Sequence, residues 1–200
     1  MGPGAGERLS VAWSVGWSSL AAAADLVLPS SCATCEEPGG PLCPRCRSGV
    51  RAAGFAGGPR PAGPDPPPPG MPVCWSAGAL DGALQTSLTA YKDHERRDLA
   101  PALAGMLSSS LATAMAADPR LRHARATGER VLVVPMPSSG AARRHRGDDP
   151  CGALARRAVA LLEGGATGAG PTGPGVVMAP ALRHARAVVD QARLGREDRA

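Results

Sequence analysis

Four cysteines that fall within fifteen residues constrain this chain more than any other feature of its sequence. They form two Cys-x-x-Cys pairs, Cys32 with Cys35 and Cys43 with Cys46. Each pair can offer two sulfurs to one metal ion at about 2.3 Å, and two pairs complete the tetrahedral shell of a structural zinc ion. The segment between the pairs, 36–42, is rich in proline and glycine, which favour the turn that brings the pairs together. The spacing therefore predicts a compact zinc knot.

Two other uses of these thiols stay open on the sequence alone. The four cysteines could form two disulfides, or one pair could be a reactive dithiol. The dithiol is the weaker alternative, because redox Cys-x-x-Cys motifs occur singly and at the N-terminus of a helix. Zinc-bound cysteines are typical of a reducing compartment, so the zinc interpretation predicts a cytoplasmic protein.

An apolar run at residues 9–28 has three interpretations. Its four serines, Gly16 and Asp25 make it too polar for a membrane helix. A secretory signal is a better alternative, because 21–24 resembles a small-residue cleavage site, but the flank before the run lacks the required positive charge. We expect instead a helix whose face with Trp13 and Trp17 packs on neighbouring structure, and no membrane partner.

A segment rich in proline and glycine, 54–72, divides the chain. Such a composition predicts a semi-rigid spacer with polyproline II character, and a proline-rich ligand for another domain is the less favoured alternative. We therefore predict an N-terminal helix and zinc knot at 1–53, a linker at 54–72 and a second domain at 73–200.

Apolar runs alternate with helical patterns beyond the predicted linker. The run at 131–134 is continuous, as in a strand that is buried on both faces of a parallel sheet. This alternation predicts an α/β domain with a parallel sheet. The predicted strands are 73–80, 131–134 and 176–178, and the predicted helices pass through Leu84 to Tyr91, through Leu99 to Met115 and through 151–162, with a loop at 138–149. Asp98 is the predicted N-cap of the second of these helices, and Asp149 with Pro150 the predicted start of the third.

Basic side chains supply the candidate binding residues. The formal charge of +5 suits a phosphate-bearing partner without identifying one, and Lys92 is the only lysine. Lys92 could reach a pyrophosphate oxygen, although a solvated charge at a helix end explains it as well. Arg143, Arg144 and Arg146 could form a basic loop that meets pyrophosphate, or an ordinary surface loop. We expect the four histidines to lie at the surface, and Cys74 and Cys151 to be buried thiols.

Five segments, taken in order, resemble one known family. They are Leu-Val-Leu-Pro at 26–29 before the cysteines, Tyr-Lys-Asp-His at 91–94, Val-Val-Pro-Met-Pro at 133–137, Arg-Arg-His-Arg-Gly at 143–147, and the Arg-rich segment with Asp-Gln at 182–191. This order is similar to that of the ComF family of phosphoribosyltransferase-like proteins, which is associated with competence for DNA uptake. The resemblance spans nearly the whole chain.

The resemblance implies a small zinc knot followed by a type I phosphoribosyltransferase-like domain. It implies that magnesium binds together with phosphoribosyl pyrophosphate, and that Lys92, Arg143, Arg144 and Arg146 face the pyrophosphate. It also implies a role in DNA uptake or nucleotide salvage, with a helicase-like partner. The alternative is a zinc-containing module that binds nucleic acid or protein through its arginines, although few aromatic residues are present for base stacking.

The sequence departs from the family pattern in three places. Asp148-Asp149-Pro150 replaces Phe-Asn-Gln after the Arg-Gly pair, and Val188 replaces a threonine. The apolar-Asp-Asp-x-x-Thr-Gly segment that would hold the ribose and its 5′-phosphate is not found, and 161–168 imitates it only loosely. We therefore expect a partial domain with little or no transferase activity and assign no catalytic residue.

Overall fold

The computed structural model describes residues 31–164 and 175–185. The predicted N-terminal helix at 9–28 lies outside the described residues, as do the second half of the 161–168 segment and Val188 and Gln191. The positions of those residues therefore stay predictions.

The described chain is a mixture of helices and two small sheets. In chain order its elements are α1 (Pro44–Ala52), β1 (Arg60–Pro61), β2 (Trp75–Ser76), α2 (Gly82–Asp93), a 3-10 turn (Arg97–Leu99), α3 (Ala100–Ala117), α4 (Pro119–Thr127), β3 (Val131–Val133), α5 (Gly140–Arg146), α6 (Pro150–Gly164) and β4 (Val176–Met178).

Strands β3 and β4 pair in parallel, with Val131 opposite Val176. Both of these valines are buried, whereas Leu132 is 58% exposed and Val177 is 41% exposed. Successive side chains of a strand point to opposite faces, so one face of this sheet packs inward and the other faces outward. The prediction that residues 131–134 would be buried on both faces is wrong for the described residues, because helices cover only one face.

The residues on either side of the segment at 54–72 lie close together in the fold. The amide of Phe55 donates to the Ala77 carbonyl at 3.1 Å, and the amide of Ala79 donates to the Ala53 carbonyl at 2.9 Å. Beyond these bonds, β1 and β2 pair antiparallel over two residues each. Of the predicted strand at 73–80, only the two residues of β2 form a strand. The partner strand β1 ends at Pro61, and proline cannot donate a hydrogen bond to a ladder. The predicted domain boundary at 54–72 stays a prediction.

The first hydrophobic core joins the cysteine-rich segment to the helices. Cys32, Leu42, Cys46 and Val50 are buried together with side chains that follow the segment at 54–72. Those partners are Leu84, Ala90, Tyr91, Leu99 and Leu103. Residues from both sides of the segment at 54–72 therefore share one core.

The second core lies between the parallel strands and the helices. It consists of Met115 of α3, Val131 of β3, Val159 of α6 and Val176 of β4. Helix α3 contributes to both cores, and α6 packs along it. The long helix thus links the cysteine-rich end of the fold to the sheet.

One described stretch, Arg97–Ala117, is long and apolar enough to cross a membrane by length and composition alone. Leu103, Ala104 and Met115 of this stretch are buried in the fold. A core helix of a folded domain passes the same test of length and composition.

Several helix ends follow the capping rules. Asp149 precedes Pro150 and accepts a hydrogen bond from the Gly152 amide at 3.3 Å, as predicted for the start of α6. The prediction that Asp98 caps α3 is wrong, because its carboxylate instead pairs with Arg96 at 2.7 Å. Three helices were not predicted. Helix α1 begins directly after Cys43, Asp118 caps α4, and α5 occupies most of the predicted loop at 138–149.

Candidate metal centre

The Sγ atoms of Cys32, Cys35, Cys43 and Cys46 all lie within 4.8 Å of one another. The Sγ atoms of Cys35 and Cys43 are 3.6 Å apart. A tetrahedral zinc ion with Zn–S bonds of about 2.3 Å would place its sulfurs about 3.8 Å apart. All six cysteines of the chain are described and none forms a disulfide. The four thiols are therefore placed to hold a metal ion such as zinc.

Tight turns bring the two cysteine pairs together. Glu36, directly after the first pair, has a φ of 63°, and Gly39 and Gly40 have φ values of 117° and 110°. Glycine adopts such angles without strain, which explains the composition of the segment between the pairs. The Cys32 amide donates to the Glu37 carbonyl at 2.8 Å, which closes the first turn.

The second pair lies at the start of α1. Cys43 is the N-cap of this helix, and its Sγ accepts a hydrogen bond from the Cys46 amide at 3.4 Å. Amide hydrogen bonds and the positive end of a helix both favour a thiolate over a thiol. Pro44 follows at the first helical position, where its missing N–H has no intrahelical partner to lose.

The thiols of the cluster differ in how readily they ionise. Burial opposes ionisation of Cys32, but hydrogen bonds from the amides of Cys43, Thr34 and Cys35 outweigh it and lower the pKa of this thiol to about 6. Burial and the neighbouring thiols raise the pKa of Cys46 to about 12. The Cys32 thiol therefore ionises more readily than the Cys46 thiol. A divalent ion would stabilise the thiolate form of all four cysteines by binding them together.

Two contacts connect the cluster to the helices. The hydroxyl groups of Thr34 and Ser87 are 3.3 Å apart, and Ser87 is fully buried on α2. Nη2 of Arg96 donates to the Ser31 carbonyl at 2.8 Å. The four-cysteine cluster is therefore held against α2 and the turn that follows it.

The predicted basic residues lie on a second region of the surface. Lys92, in the last turn of α2, is exposed, as are Arg143 and Arg144 of α5, while Arg146 is half-buried. Ser139 caps α5 by accepting a hydrogen bond from the Ala142 amide at 3.1 Å. The structure thus places the three arginines on one short helix rather than in an irregular loop.

Two contacts join residues 91–97 to the segment that follows α5. The Tyr91 hydroxyl donates to the Pro150 carbonyl at 3.0 Å. Arg97 pairs with Asp148, with Nη2 of Arg97 2.9 Å from Oδ1 of Asp148. The guanidinium of Arg97 also lies 5.1 Å from the centre of the Tyr91 ring. Tyr91 and Arg97 are therefore held against 148–150, the segment that follows α5.

Arg97 is a site residue that sequence reasoning missed. Its Nη1 atom and Nε of Arg146 are buried, and no described protein atom accepts a hydrogen bond from either. A buried donor without an acceptor is costly, so such atoms are rare in native structures. The one signal for Arg97 was its position in the Arg96-Arg97 pair shortly after Lys92.

The carboxylates of Asp148, Asp149 and Glu163 are already engaged. Asp148 pairs with Arg97, and Asp149 accepts hydrogen bonds from Ser138 at 2.7 Å and from the Gly152 amide. Glu163, from the loose match to the phosphate-binding motif, accepts the Val176 amide at 3.0 Å. Among residues 31–164 and 175–185, only the four cysteines form a cluster suited to a metal. These acids do not fit a magnesium site.

The remaining predicted residues lie at the surface. His94, His123 and His184 are exposed, in line with expectation. The prediction that Cys74 and Cys151 are buried is wrong, because both are exposed. Cys74 lies beside a two-stranded hairpin with no further strand over it, and Cys151 lies off the face of α6 that carries Gly152, Ala155, Ala158 and Val159.

None of the protein-family models, curated proteins or solved structures compared with this chain matches it. The family resemblance therefore depends on the motifs and on where the structure places them.

Proposed function

We propose that this chain is a ComF-like, phosphoribosyltransferase-related protein that contains one structural zinc ion and binds a phosphate-bearing ligand on its basic surface. The proposal joins two features of the molecule. The first is the four-cysteine cluster, and the second is the group of Lys92, Arg97, Arg143, Arg144 and Arg146.

The observation that carries the proposal is a pair of contacts between residues at or close to two motif segments that are far apart in the sequence. The resemblance requires the Tyr-Lys segment and the Arg-rich segment to meet at one ligand. The Tyr91–Pro150 hydrogen bond spans 59 residues, and the Arg97–Asp148 pair spans 51. These two contacts support a shared site for Lys92 and the arginines of α5.

The chemistry of the site favours a phosphate or pyrophosphate group. Arginine offers a planar set of N–H donors that matches two phosphate oxygens, and lysine adds a point charge. Arg97 and Arg146 each retain a donor that no described protein atom accepts. A small movement of either side chain toward a bound phosphate would satisfy that donor.

The role proposed for zinc is structural. All four ligand positions would be occupied by cysteine, which leaves no open position for water or substrate. Zinc would favour the thiolate form of all four sulfurs and hold 31–46 against α2 and α3. A reducing, cytoplasmic location belongs to the same proposal.

The proposal is for binding, and it assigns no catalytic residue. The described acids that could hold a ribose are engaged in ion pairs and helix caps. A role in DNA uptake or nucleotide salvage, and a helicase-like partner, follow only from the family resemblance.

Titration calorimetry with inorganic pyrophosphate tests the ligand class. The zinc-loaded full chain should bind pyrophosphate, and the double variant Arg143→Ala/Arg146→Ala should bind it at least tenfold more weakly. Arg120→Ala, which removes an exposed arginine from α4, should leave the affinity unchanged. Equal affinity in all three proteins, or no binding by the wild type, would contradict the proposed site. Release of pyrophosphate from phosphoribosyl pyrophosphate by the full chain would instead show transferase activity and contradict the binding-only proposal.

A second candidate function is a nucleic-acid-binding module. The observation that favours it is the exposure of Lys92, Arg143 and Arg144, since solvent-facing cations can follow a phosphate backbone. Single-stranded DNA should then bind with an affinity that falls steeply as salt is raised. Absence of DNA binding at low salt, with pyrophosphate binding intact, would exclude this candidate.

A further inference from the structure

The carboxylate of Asp148 occupies the side of the Arg97 guanidinium that would also suit a phosphate. Nε of Arg97 donates to Oδ2 of Asp148, and Nη2 of Arg97 donates to Oδ1 at 2.9 Å. Two parallel N–H donors of one arginine match two oxygens of a phosphate as well as those of a carboxylate. Asp148 therefore takes from Arg97 the donors that a phosphate ligand would use.

The ion pair leaves buried donors on two arginines unused. Nη1 of Arg97 and Nε of Arg146 are buried, and no described protein atom accepts a hydrogen bond from either. A hydrogen bond from Arg97 lowers the pKa of the Asp148 carboxyl, and the positive charge of Arg146 adds to this effect. One carboxylate thus interacts with two cations, and its two oxygen atoms do not satisfy all of their buried donors.

A ligand from solvent can reach this ion pair. The side chain of Arg97 is 28% exposed, and that of Asp148 is 38% exposed. The guanidinium of Arg97 also lies 5.1 Å from the centre of the Tyr91 ring. This cation–π contact does not involve Asp148, so it can keep Arg97 close to its position when the carboxylate leaves.

We propose that Asp148 is a built-in competitor for the phosphate ligand, which displaces the Asp148 carboxylate from Arg97 when it binds. This role rests on the proposed function, which places pyrophosphate at Lys92, Arg97 and the arginines of α5. Pyrophosphate carries more negative charge and more oxygens than one carboxylate, so the exchange can satisfy donors that Asp148 leaves unpaired. Asp148 opposes the exchange, because it belongs to the same chain and has a high effective concentration at Arg97. Asp148 therefore sets the affinity of the site without contacting the bound ligand.

Titration calorimetry with inorganic pyrophosphate tests this proposal on the zinc-loaded full chain. Asp148→Asn removes the competing charge and should bind pyrophosphate at least fivefold more tightly than the wild type. Asp149→Asn is the matched control, because it removes the same charge one residue away while asparagine can still accept from Ser138 and the Gly152 amide. Its affinity should stay within twofold of the wild type. In an Arg97→Gln background Asp148→Asn should give no gain, because the gain requires a released Arg97.

The direction of the change separates this role from a purely structural one. Asp148→Asn removes a stabilising ion pair, so it should lower the stability of the fold while it raises the affinity for pyrophosphate. A residue that only held Arg97 in place for the ligand would lower both when it is replaced.

Three results would overturn the proposal. They are equal or weaker binding by Asp148→Asn, a gain of the same size in Asp149→Asn, and a gain that persists in the Arg97→Gln background. Any of these with intact binding by the wild type contradicts the role of Asp148 alone, whereas no binding by the wild type and Asp148→Asn alike contradicts the proposed function as well. If Asp148→Asn fails to fold, carbon-13 NMR of the wild type provides a second test. Saturating pyrophosphate should shift the carboxyl resonance of Asp148, and an unchanged resonance would show that Asp148 is not displaced.

Discussion

The hydroxyl of Tyr91 donates a 3.0 Å hydrogen bond to the carbonyl oxygen of Pro150, 59 residues further along the chain. Tyr91 is 3% exposed and belongs to the core that also contains Cys32 and Cys46. Pro150 is the first residue of α6 and directly follows the acidic pair after α5. One side chain therefore contacts both the cysteine-rich core and the start of the helix beside the basic residues.

The Tyr91→Phe variant tests the energy of this contact. Removing the hydroxyl leaves a buried carbonyl with one partner fewer, so the free energy of unfolding should fall by about 1–2 kcal/mol. Urea unfolding of the zinc-loaded protein measures the change. Thr113→Val serves as the control, because it removes an exposed hydroxyl that bonds only within α3, and its effect should stay within about 0.5 kcal/mol. Equal effects of the two variants would show that the hydrogen bond contributes nothing specific.

Two glycines should respond to alanine in opposite directions. A Cβ at Gly78 would clash with the backbone of Ala53 and Gly54, where the two ends of the segment at 54–72 meet. Gly78→Ala should therefore lower the free energy of unfolding by about 1–3 kcal/mol. Gly105 lies within α3 with open space around its Cβ position, so Gly105→Ala should raise it by roughly 0.5–1 kcal/mol. Thermal unfolding of both variants checks the signs, and a stable Gly78→Ala protein would contradict the close approach described here.

Local sequence patterns were enough to predict most of the regular structure. The apolar stripes of α2 and α3 and the Asp149-Pro150 start of α6 follow from spacing and capping, which depend on near neighbours. The grouping of the four cysteines also follows from spacing, because a short turn with proline and glycine leaves the pairs little freedom. Helix α4 was missed because its nine residues contain almost no apolar periodicity and none of them is buried.

Contacts between distant segments could not be predicted from local patterns. No neighbouring residue indicates that Arg97 pairs with Asp148, since the two are 51 positions apart. The exposure of Leu132 likewise depends on how many elements cover the sheet, which the apolar run at 131–134 does not specify. The shared core on both sides of the segment at 54–72 is a third example, because its composition indicated only a spacer.

The ion pair between Arg97 and Asp148 gives a prediction for acid stability. A hydrogen bond from the Arg97 guanidinium lowers the pKa of the Asp148 carboxyl. The folded pKa therefore lies below the unfolded value of about 3.9, so the ionised form stabilises the fold above about pH 4. That contribution is lost as the pH falls through the folded pKa.

The Asp148→Asn variant isolates this contribution. Its unfolding free energy should lie below that of the wild type by a constant amount between pH 7 and about pH 5, and the gap should shrink below about pH 4. Both groups are partly exposed, so the gap should be modest. Arg97→Gln should show the same pH profile, and loss of metal in acid should affect all three proteins alike. A gap that stays constant down to pH 2 would contradict the assigned role of Asp148.

Substitution of one cluster cysteine should affect the helices as well as the metal. Cys46 is buried in the first core, so Cys46→Ser should abolish tight zinc binding and reduce the helical circular dichroism signal, since metal binding and folding are linked. Cys74→Ser removes an exposed thiol outside the cluster and should change neither property. Retention of zinc and of full helical signal in Cys46→Ser would show that the four sulfurs do not act as one site.

The most direct test of the account is the metal content and sulfur coordination of the purified full chain, measured by elemental analysis and X-ray absorption. The account predicts one zinc ion per chain, surrounded by four sulfur atoms at about 2.3 Å. Protein that contains no zinc, with Cys32, Cys35, Cys43 and Cys46 joined in disulfides, would contradict it.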